Sequence, residues 1–324
     1  EKIVRDIKKA NKRGDILDRN GALLAISMPS WSLYKNKDIV YDLDKAKENI
    51  LKIIPSINEG NLEIWLKSKK NFQYIARHLT PEIAKEVNKL GQPALKFQME
   101  YLRVYPLKEE FSHIVGYTGI DKNGLAGIEL KYNNVLNAGK NIFLTLDSRI
   151  QYKIFNILQN GIPIYKYKGA VGIVININTG EVLSGVSIPS FNPNVYHSIN
   201  ITPNQITGSN FELGSVFKAI TIASALNENI INMKSQFDAS EPIKIGKYYI
   251  KDFHPEERTL GLEEVFIHSS NIGSALIALK LGKDKQSDYF KKLGLNDIIE
   301  SGIPEVQYPN FPSRKKTSDI HVAT

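Results

Sequence analysis

From Ser215 to Leu226 the chain reads S-V-F-K-A-I-T-I-A-S-A-L, with no Pro or Gly and with Lys218 as its only charge. Good helix formers recur and the run is apolar almost all round, which predicts a helix buried inside a domain. A buried ammonium is costly unless something pairs with it. Positions i and i+3 share a helix face, so Ser215 and Lys218 are expected side by side at the helix start, hydroxyl within reach of amine. Such a pair can make a nucleophile. A neutral lysine takes the serine proton, and the helix N-terminus favours the negative charge that builds up. The bland alternative is a helix cap with a snorkelling lysine.

Ser-x-x-Lys is a weak pattern; about one is expected by chance in a chain this long, and three occur here. Ser32 to Lys35 lies in an alternating aromatic stretch, where i and i+3 of a strand point to opposite faces. Ser313 to Lys316 follows Pro312 in a polar segment. Only Ser215 and Lys218 open an apolar helix.

The 324 residues suffice for two domains. The net charge of +8 is spread along the chain without a long basic run. That charge suits a solvated surface or an approach to anionic lipid or cell-wall polymer. It forms no stripe interleaved with aromatics, so a nucleic-acid partner is a poor fit. Cysteine is absent, which excludes disulfides and thiolate metal sites. No stretch approaches the roughly 20 apolar residues of a membrane span. The chain begins at Glu1 rather than Met, so any anchor or signal segment is expected upstream.

In the first part, Glu1 to Lys12 is charged and helix-like. Apolar pairs flank Asn20-Gly21, a hairpin signal, along which Arg13, Asp15, Asp18 and Arg19 are expected to cross-pair as surface ion pairs worth little. Asp44 to Leu66 reads as helical pieces broken at Pro55. Pro81 to Leu90 reads as a helix capped by Thr80, and Arg103 to Pro106 as a strand ending at proline. His113 to Gly119 and Gly124 to Glu129 read as turns. This part offers no catalytic pair and has the character of an extended α+β module that supports something else.

In the second part, Ile142 to Asp147 is an expected strand, followed by a helix from Ser148 to Gln159. Ala170 to Ile177 and Glu181 to Val186 form a hairpin of an antiparallel sheet. After the central helix, a helix from Thr259 ends at His268-Ser269-Ser270-Asn271, and another runs from Ile272 to Leu281. Ser269 and Asn271 sit at a helix junction, where side chains can point into a cleft or serve as caps. His254 and His268 lack metal-ligand spacing, Asp252 reads as a turn or salt-bridge residue, and the Gly-rich pieces match no phosphate-cradling pattern.

Taken in order, these segments resemble the class B penicillin-binding proteins. Arg13-Gly14-Asp15-Ile16-Leu17-Asp18-Arg19-Asn20-Gly21, Arg103-Val104-Tyr105-Pro106 and Gly124 to Glu129 resemble the family's pedestal signatures. Asn178-Thr179-Gly180-Glu181-Val182-Leu183 and Pro189-Ser190-Phe191-Asn192-Pro193 resemble the start of its transpeptidase domain. Glu212 to Lys218 resembles its nucleophile motif and Ser269-Ser270-Asn271 its second motif; the Ser-Ser-Asn-Ile-Gly form is closer to the division branch than to the elongation branch.

The resemblance implies an α+β chain with a non-catalytic, dimerisation-like pedestal over 1–139. It implies a serine β-lactamase/penicillin-binding transpeptidase-like domain, antiparallel sheet with helices, over 140–324. The implied activity is D,D-transpeptidation of peptidoglycan stem peptides ending in D-Ala-D-Ala. By this resemblance Ser215 is the nucleophile, Lys218 its base, Ser269 the relay of the proton toward the leaving amine, and Asn271 the group that holds the substrate amide and orients Lys218. No cofactor or metal is implied. β-Lactams are implied as trapped esters at Ser215. A membrane glycosyltransferase and other division proteins are implied as partners, at the outer face of the cytoplasmic membrane behind an N-terminal anchor.

The family's third motif, Lys-Ser/Thr-Gly, is missing; Lys316-Thr317-Ser318 is the nearest string and lacks the Gly. The domain is therefore expected to be C-terminally incomplete. It would lack one wall of the cleft with half of the oxyanion hole, and acylate poorly or not at all. The stretch between Leu136 and Lys140 is also shorter than the family's usual linker. Two alternatives stand beside this reading: a β-lactam-hydrolysing or β-lactam-sensing relative of the same fold, which ordinarily lacks a pedestal, and a non-catalytic division scaffold.

Overall fold

The computed structural model describes residues 12–198, 201–245 and 247–310. The expected helical start at Glu1 to Lys12 falls, but for Lys12, outside the described residues, as do the Ser313 to Lys316 and Lys316-Thr317-Ser318 strings. The chain divides into two compact units between Thr207 and Gly208, with Gly302–Glu305 joining the first.

The first unit begins with β1 (Ile16–Leu17) and β2 (Leu23–Asn36), joined by the Asn20-Gly21 turn with Gly21 at φ 85°. The expected hairpin is present, but its charges do not pair across it. Asp18 instead accepts from the backbone N–H of Asn20 (2.7 Å), Ala22 (2.8 Å) and Ser148 (3.0 Å). Arg13 leaves the hairpin altogether and is 2% exposed. A buried guanidinium needs several acceptors at once, and the two-residue turn has too few to offer.

The long β2 is the spine of a five-stranded sheet. It pairs antiparallel with β3 (Phe72–Leu79) and with β4 (Leu95–Val104). The remaining pairing is parallel, between β1 and β5 (Ile142–Phe143). Between strands lie α1 (Leu43–Ile53), α2 (Glu59–Lys67) and α3 (Pro81–Asn88). Their starts are set by side-chain caps from Asp42, Asn58 and Thr80, and Pro55 separates the first two as expected. Leu33, Ile50, Leu62, Leu66 and Val87 form the core beneath them.

The segments expected as turns after Tyr105 contain short helices: α4 (Ser112–Val115), α5 (Gly127–Lys131) and α6 (Asn133–Asn137). Gly116 and Gly127, both at positive φ, let these turns touch. A Cβ on Gly116 would lie 1.9 Å from the Ala126 carbonyl oxygen. α7 (Ser148–Tyr165) is longer than expected and contains Pro163. It packs on the hairpin of β6 (Ala170–Ile175) and β7 (Val182–Ile188), a two-stranded sheet among the described residues. α8 (Gln205–Gly208) is a single turn.

The second unit contains a 3-10 turn (Gly214–Val216), α9 (Phe217–Asn227), and two small antiparallel pairs, β8 (Gln236–Asp238) with β11 (Thr259–Gly261) and β9 (Ile243–Ile245) with β10 (Tyr248–Ile250). Three helices complete it: α10 (Leu262–Ile267), α11 (Asn271–Leu281) and α12 (Lys283–Lys292). Thr259 to Gly261, expected as helix, is strand; Gly261 then caps α10. The core joins Ile222 and Ala225 of α9 to Val265, Ile272, Ala275 and Ile277.

Two features of the central helix differ from expectation. Ser215 lies in the 3-10 turn that precedes α9, entered through Gly214 at φ 58°. The helix is not buried all round either. Thr221, Ile222, Ser224 and Ala225 face the core, while Ala219 and Ala223 are exposed and Val216 is 73% exposed. Among the described residues of this unit, α9 packs chiefly on α11, with α12 alongside.

Candidate active site

α9 carries Lys218 one turn beyond Ser215, and α11 begins directly opposite. The two helices pack closely, and α10 must come close as well: a Cβ on Gly273 would lie 2.5 Å from Val265 Cγ2. Lys218 Nζ donates to Ser269 Oγ at 3.0 Å and to Asn271 Oδ1 at 2.7 Å, and also to the Ser269 carbonyl. The amine is thus joined to two side chains more than 50 positions away. Burial pushes the Lys218 ammonium below the ordinary lysine range, and the nearby Asp252 carboxylate opposes that shift.

The Ser269–Asn271 segment is held rigidly. Ser269 has φ 52°, a conformation that costs a non-glycine residue on the order of 1 kcal/mol or more. Ser270 is the N-cap of α11; its Oγ accepts from Gly273 N at 2.9 Å and donates to Asp252 Oδ2 at 2.7 Å. Asp252 Oδ1 accepts from Ile272 N at 2.9 Å, and Asn271 Nδ2 donates to the Lys251 carbonyl at 2.7 Å. Asp252 is therefore more than a turn residue: it fixes the junction that presents Ser269 and Asn271. The sequence reading missed this role, since the serine that Asp252 holds lies 18 positions away along the chain.

Ser215 is exposed, and its hydroxyl makes no hydrogen bond among the described residues. It nevertheless lines the same cavity of about 360 Å³ as Lys218, Thr221, Tyr249, Asn271 and Ser274. The buried Ser274 hydroxyl has no partner among the described residues. The four residues expected from the sequence thus gather in one place: Lys218, Ser269 and Asn271 hydrogen-bonded, and Ser215 at the cavity wall. His254 and His268 stay apart from it as ordinary polar residues, His268 Nδ1 lying 3.4 Å from Glu256. No metal-binding cluster occurs among the described residues.

The family profile described as "Penicillin-binding Protein dimerisation domain" matches residues 8–143. That described as "Penicillin binding protein transpeptidase domain" matches residues 170–320. The chain belongs to the class B penicillin-binding proteins.

Its relatives include a probable peptidoglycan D,D-transpeptidase FtsI of Caulobacter vibrioides, 32% identical over 96% of this chain and 54% of that protein. The peptidoglycan D,D-transpeptidase FtsI of Escherichia coli K12 is 27% identical over 97% of this chain and 59% of that one. A probable peptidoglycan D,D-transpeptidase PenA of Neisseria gonorrhoeae is 29% identical, over 94% and 58%. The chain therefore spans little more than half the length of the curated relatives it matches. The crystal structure of penicillin-binding protein 2X from Streptococcus thermophilus shares the fold, with a TM-score of 0.75 and 20% identity over 97% of this chain and 55% of that one.

Proposed function

We propose that the chain is the nucleophile-bearing part of a serine D,D-transpeptidase that cross-links peptidoglycan stem peptides during cell division. The observation that carries the proposal is a half-buried lysine bonded to a serine hydroxyl and an asparagine amide inside the cavity that Ser215 lines. Ser215 Oγ attacks the carbonyl carbon of the penultimate D-alanine and its proton passes to the neutral Lys218 amine. The C–N bond to the terminal D-alanine breaks, and that amine takes the proton from Lys218 through the Ser269 hydroxyl. An ester remains on Ser215. A stem-peptide amine then attacks the ester, forms the new amide, and returns a proton to Ser215 along the same path. Asn271, held by the Lys251 carbonyl, orients Lys218 and presents an amide to the substrate. β-Lactams, which mimic the D-Ala-D-Ala end, stop at the ester.

In this reading residues 1–139 form a non-catalytic pedestal and 140–324 belong to the transpeptidase domain, a functional division that the two family matches support. The names of the relatives support peptidoglycan transpeptidation; the division role, a glycosyltransferase partner and a place at the outer face of the cytoplasmic membrane belong to the same proposal. No described helix is long and apolar enough to cross a membrane. The experiment is mass spectrometry of the intact gene product after exposure to a penicillin. A stable adduct mapped to Ser215 is expected. Rapid turnover without adduct would favour a hydrolase, and an adduct that persists in Ser215→Ala would remove Ser215 from the mechanism.

A further inference from the structure

A second cavity, of about 260 Å³, lies wholly in the first unit, between β3, β4 and the 118–122 loop. Its wall includes Arg77, His78, Tyr101, Arg103, Ile120 and Lys122. Around it four basic side chains, Arg13, Arg77, Arg103 and Lys122, face two carboxylates. Glu129 takes Arg13 at 2.6 Å and Arg103 at 2.7 Å, and Glu100 takes Arg77 at 2.8 Å. Lys122 is left over. It makes no ion pair among the described residues, and its ammonium sits 5.7 Å from the centre of the Tyr101 ring. Asp121, its neighbour in the chain, is exposed and forms no ion pair with it. Burial draws the Lys122 ammonium below the usual lysine range, with Glu100 opposing, and burial likewise lowers the His78 ring from the usual histidine range, Arg77 adding to the shift and Glu100 opposing it.

The lysine is held there by the backbone. Lys122 has φ 66°, its N–H donates to the Gly119 carbonyl at 3.0 Å, Gly119 N–H donates to Asn123 at 2.9 Å, and its own carbonyl accepts from Arg13 at 3.0 Å. A short loop in a strained conformation thus keeps an uncompensated cation at a concave, partly apolar surface. Arg77 binds Glu100 through Nε and Nη2, which leaves Nη1 without a partner among the described residues. Arg77 Nη1 and Lys122 Nζ are a pair of donors that the two oxygens of a carboxylate can bridge, and Arg103 of the same wall has a buried Nη2 with no partner among the described residues. The remaining wall, with Tyr101 and the 59%-exposed Ile120, suits the apolar body that follows it.

We infer that this cavity binds the terminal carboxylate of a short peptide, its oxygens taken by Lys122 and Arg77 and its body resting on Tyr101 and Ile120. The site is independent of the transpeptidase cavity. The test is calorimetric and NMR titration of the intact protein with N-acetyl-L-alanyl-L-alanine, whose L configuration sets it apart from D-Ala-D-Ala substrates. The C-terminal amide and inorganic phosphate are titrated in parallel. The acid is expected to bind about tenfold or more tightly than either, and to weaken several-fold at about 0.5 M salt. Lys122→Asn removes the charge and tolerates the left-handed backbone, so its fold is retained. It is expected to lose about tenfold in affinity with its thermal transition unchanged. Equal binding of acid and amide, phosphate binding as tight as the acid, unaltered affinity in Lys122→Asn, or no saturation on the order of 10 mM ligand would each overturn the inference.

Discussion

Glu129 in the first unit and Lys218 in the second are both charges at the centre of a hydrogen-bonded cluster, and the two clusters are built to opposite ends. Glu129 is fully buried and saturated: two guanidiniums hold its oxygens, Tyr105 adds a bond at 3.3 Å, and the Arg13 donors left over are absorbed by Asn133, Asn137 and the Lys122 carbonyl. The carboxylate oxygens are all taken, and among the described residues the buried Arg103 Nη2 is the donor of this cluster left without a partner. Lys218 is half-buried, bonded to neutral oxygens rather than to a carboxylate, and faces a cavity. A saturated cluster fixes a fold; a cation held by neutral partners keeps the freedom to give up a proton.

The sharpest way to break this contrast is to remove both central charges. Lys218→Met should lower the rate of Ser215 acylation by about a thousandfold, within the range for a general base, with little loss of thermal stability; acylation is followed by gel fluorescence with a labelled penicillin. Glu129→Gln should do the reverse. Unpairing two buried guanidiniums should cost about 3–5 kcal/mol in denaturant unfolding of the first unit, with the Ser215 cavity intact. If Glu129→Gln unfolds at the wild-type denaturant concentration, the cluster is not structural.

Asp252→Asn tests whether the second cluster depends on its support. The substitution weakens the bonds to Ser270 and Ile272 and should lower acylation about tenfold to a hundredfold, the scale of a small misplacement of catalytic groups. The loss should fall on the acylation rate constant rather than on β-lactam affinity. A pH profile sharpens the comparison further. Acylation should rise with pH as Lys218 loses its proton, with a midpoint below that of an ordinary lysine because burial disfavours the ammonium. A midpoint at or above the ordinary lysine value would exclude Lys218 as the base.

The smallest effect lies at the surface of the second unit. The Arg258 guanidinium at 2.9 Å and the Gly261 N–H hold the Glu264 carboxyl down at about 2. The folded-state value lies below the unfolded one. The contribution is therefore complete above the ordinary carboxylate range and disappears as pH falls through about 2. Glu264→Gln should lower the neutral plateau of a stability-versus-pH curve slightly, so that its acid limb is shallower, and leave stability below about pH 2 unchanged.

Much of the chain was legible as sequence wherever the signal is local. Thr80-Pro81 starts a helix because a hydroxyl and a fixed φ act within one turn. Asn20-Gly21 closes a hairpin because Gly21 accepts a positive φ. Motif order placed Ser215, Lys218, Ser269 and Asn271 in one candidate site; Ser215, Lys218 and Asn271 line one cavity, and Ser269 accepts from Lys218 beside it. The departures occur where distant partners compete with local ones. Arg13 was expected to pair within its hairpin, yet it binds a glutamate 116 positions away because only a buried site offers it enough acceptors. The two-residue β5 where Ile142 to Asp147 promised a longer strand, the 3-10 turn at Ser215 and the exposed flank of α9 have the same origin. Extent and burial are decided by what packs alongside, not by propensity.

Signals between near neighbours in the chain set the local vocabulary: which residues cap, turn and line one face, and which serine precedes a lysine by one helical turn. Folding supplied the rest: the lysine at 3.0 Å from Ser269 Oγ and 2.7 Å from Asn271 Oδ1, without an ion pair among the described residues, and Asp252 anchoring the segment that carries both. The reason is physical. Backbone conformation follows from neighbours a few residues apart, whereas the protonation and orientation of a side chain depend on the desolvation and hydrogen-bond partners that folding brings from far along the chain.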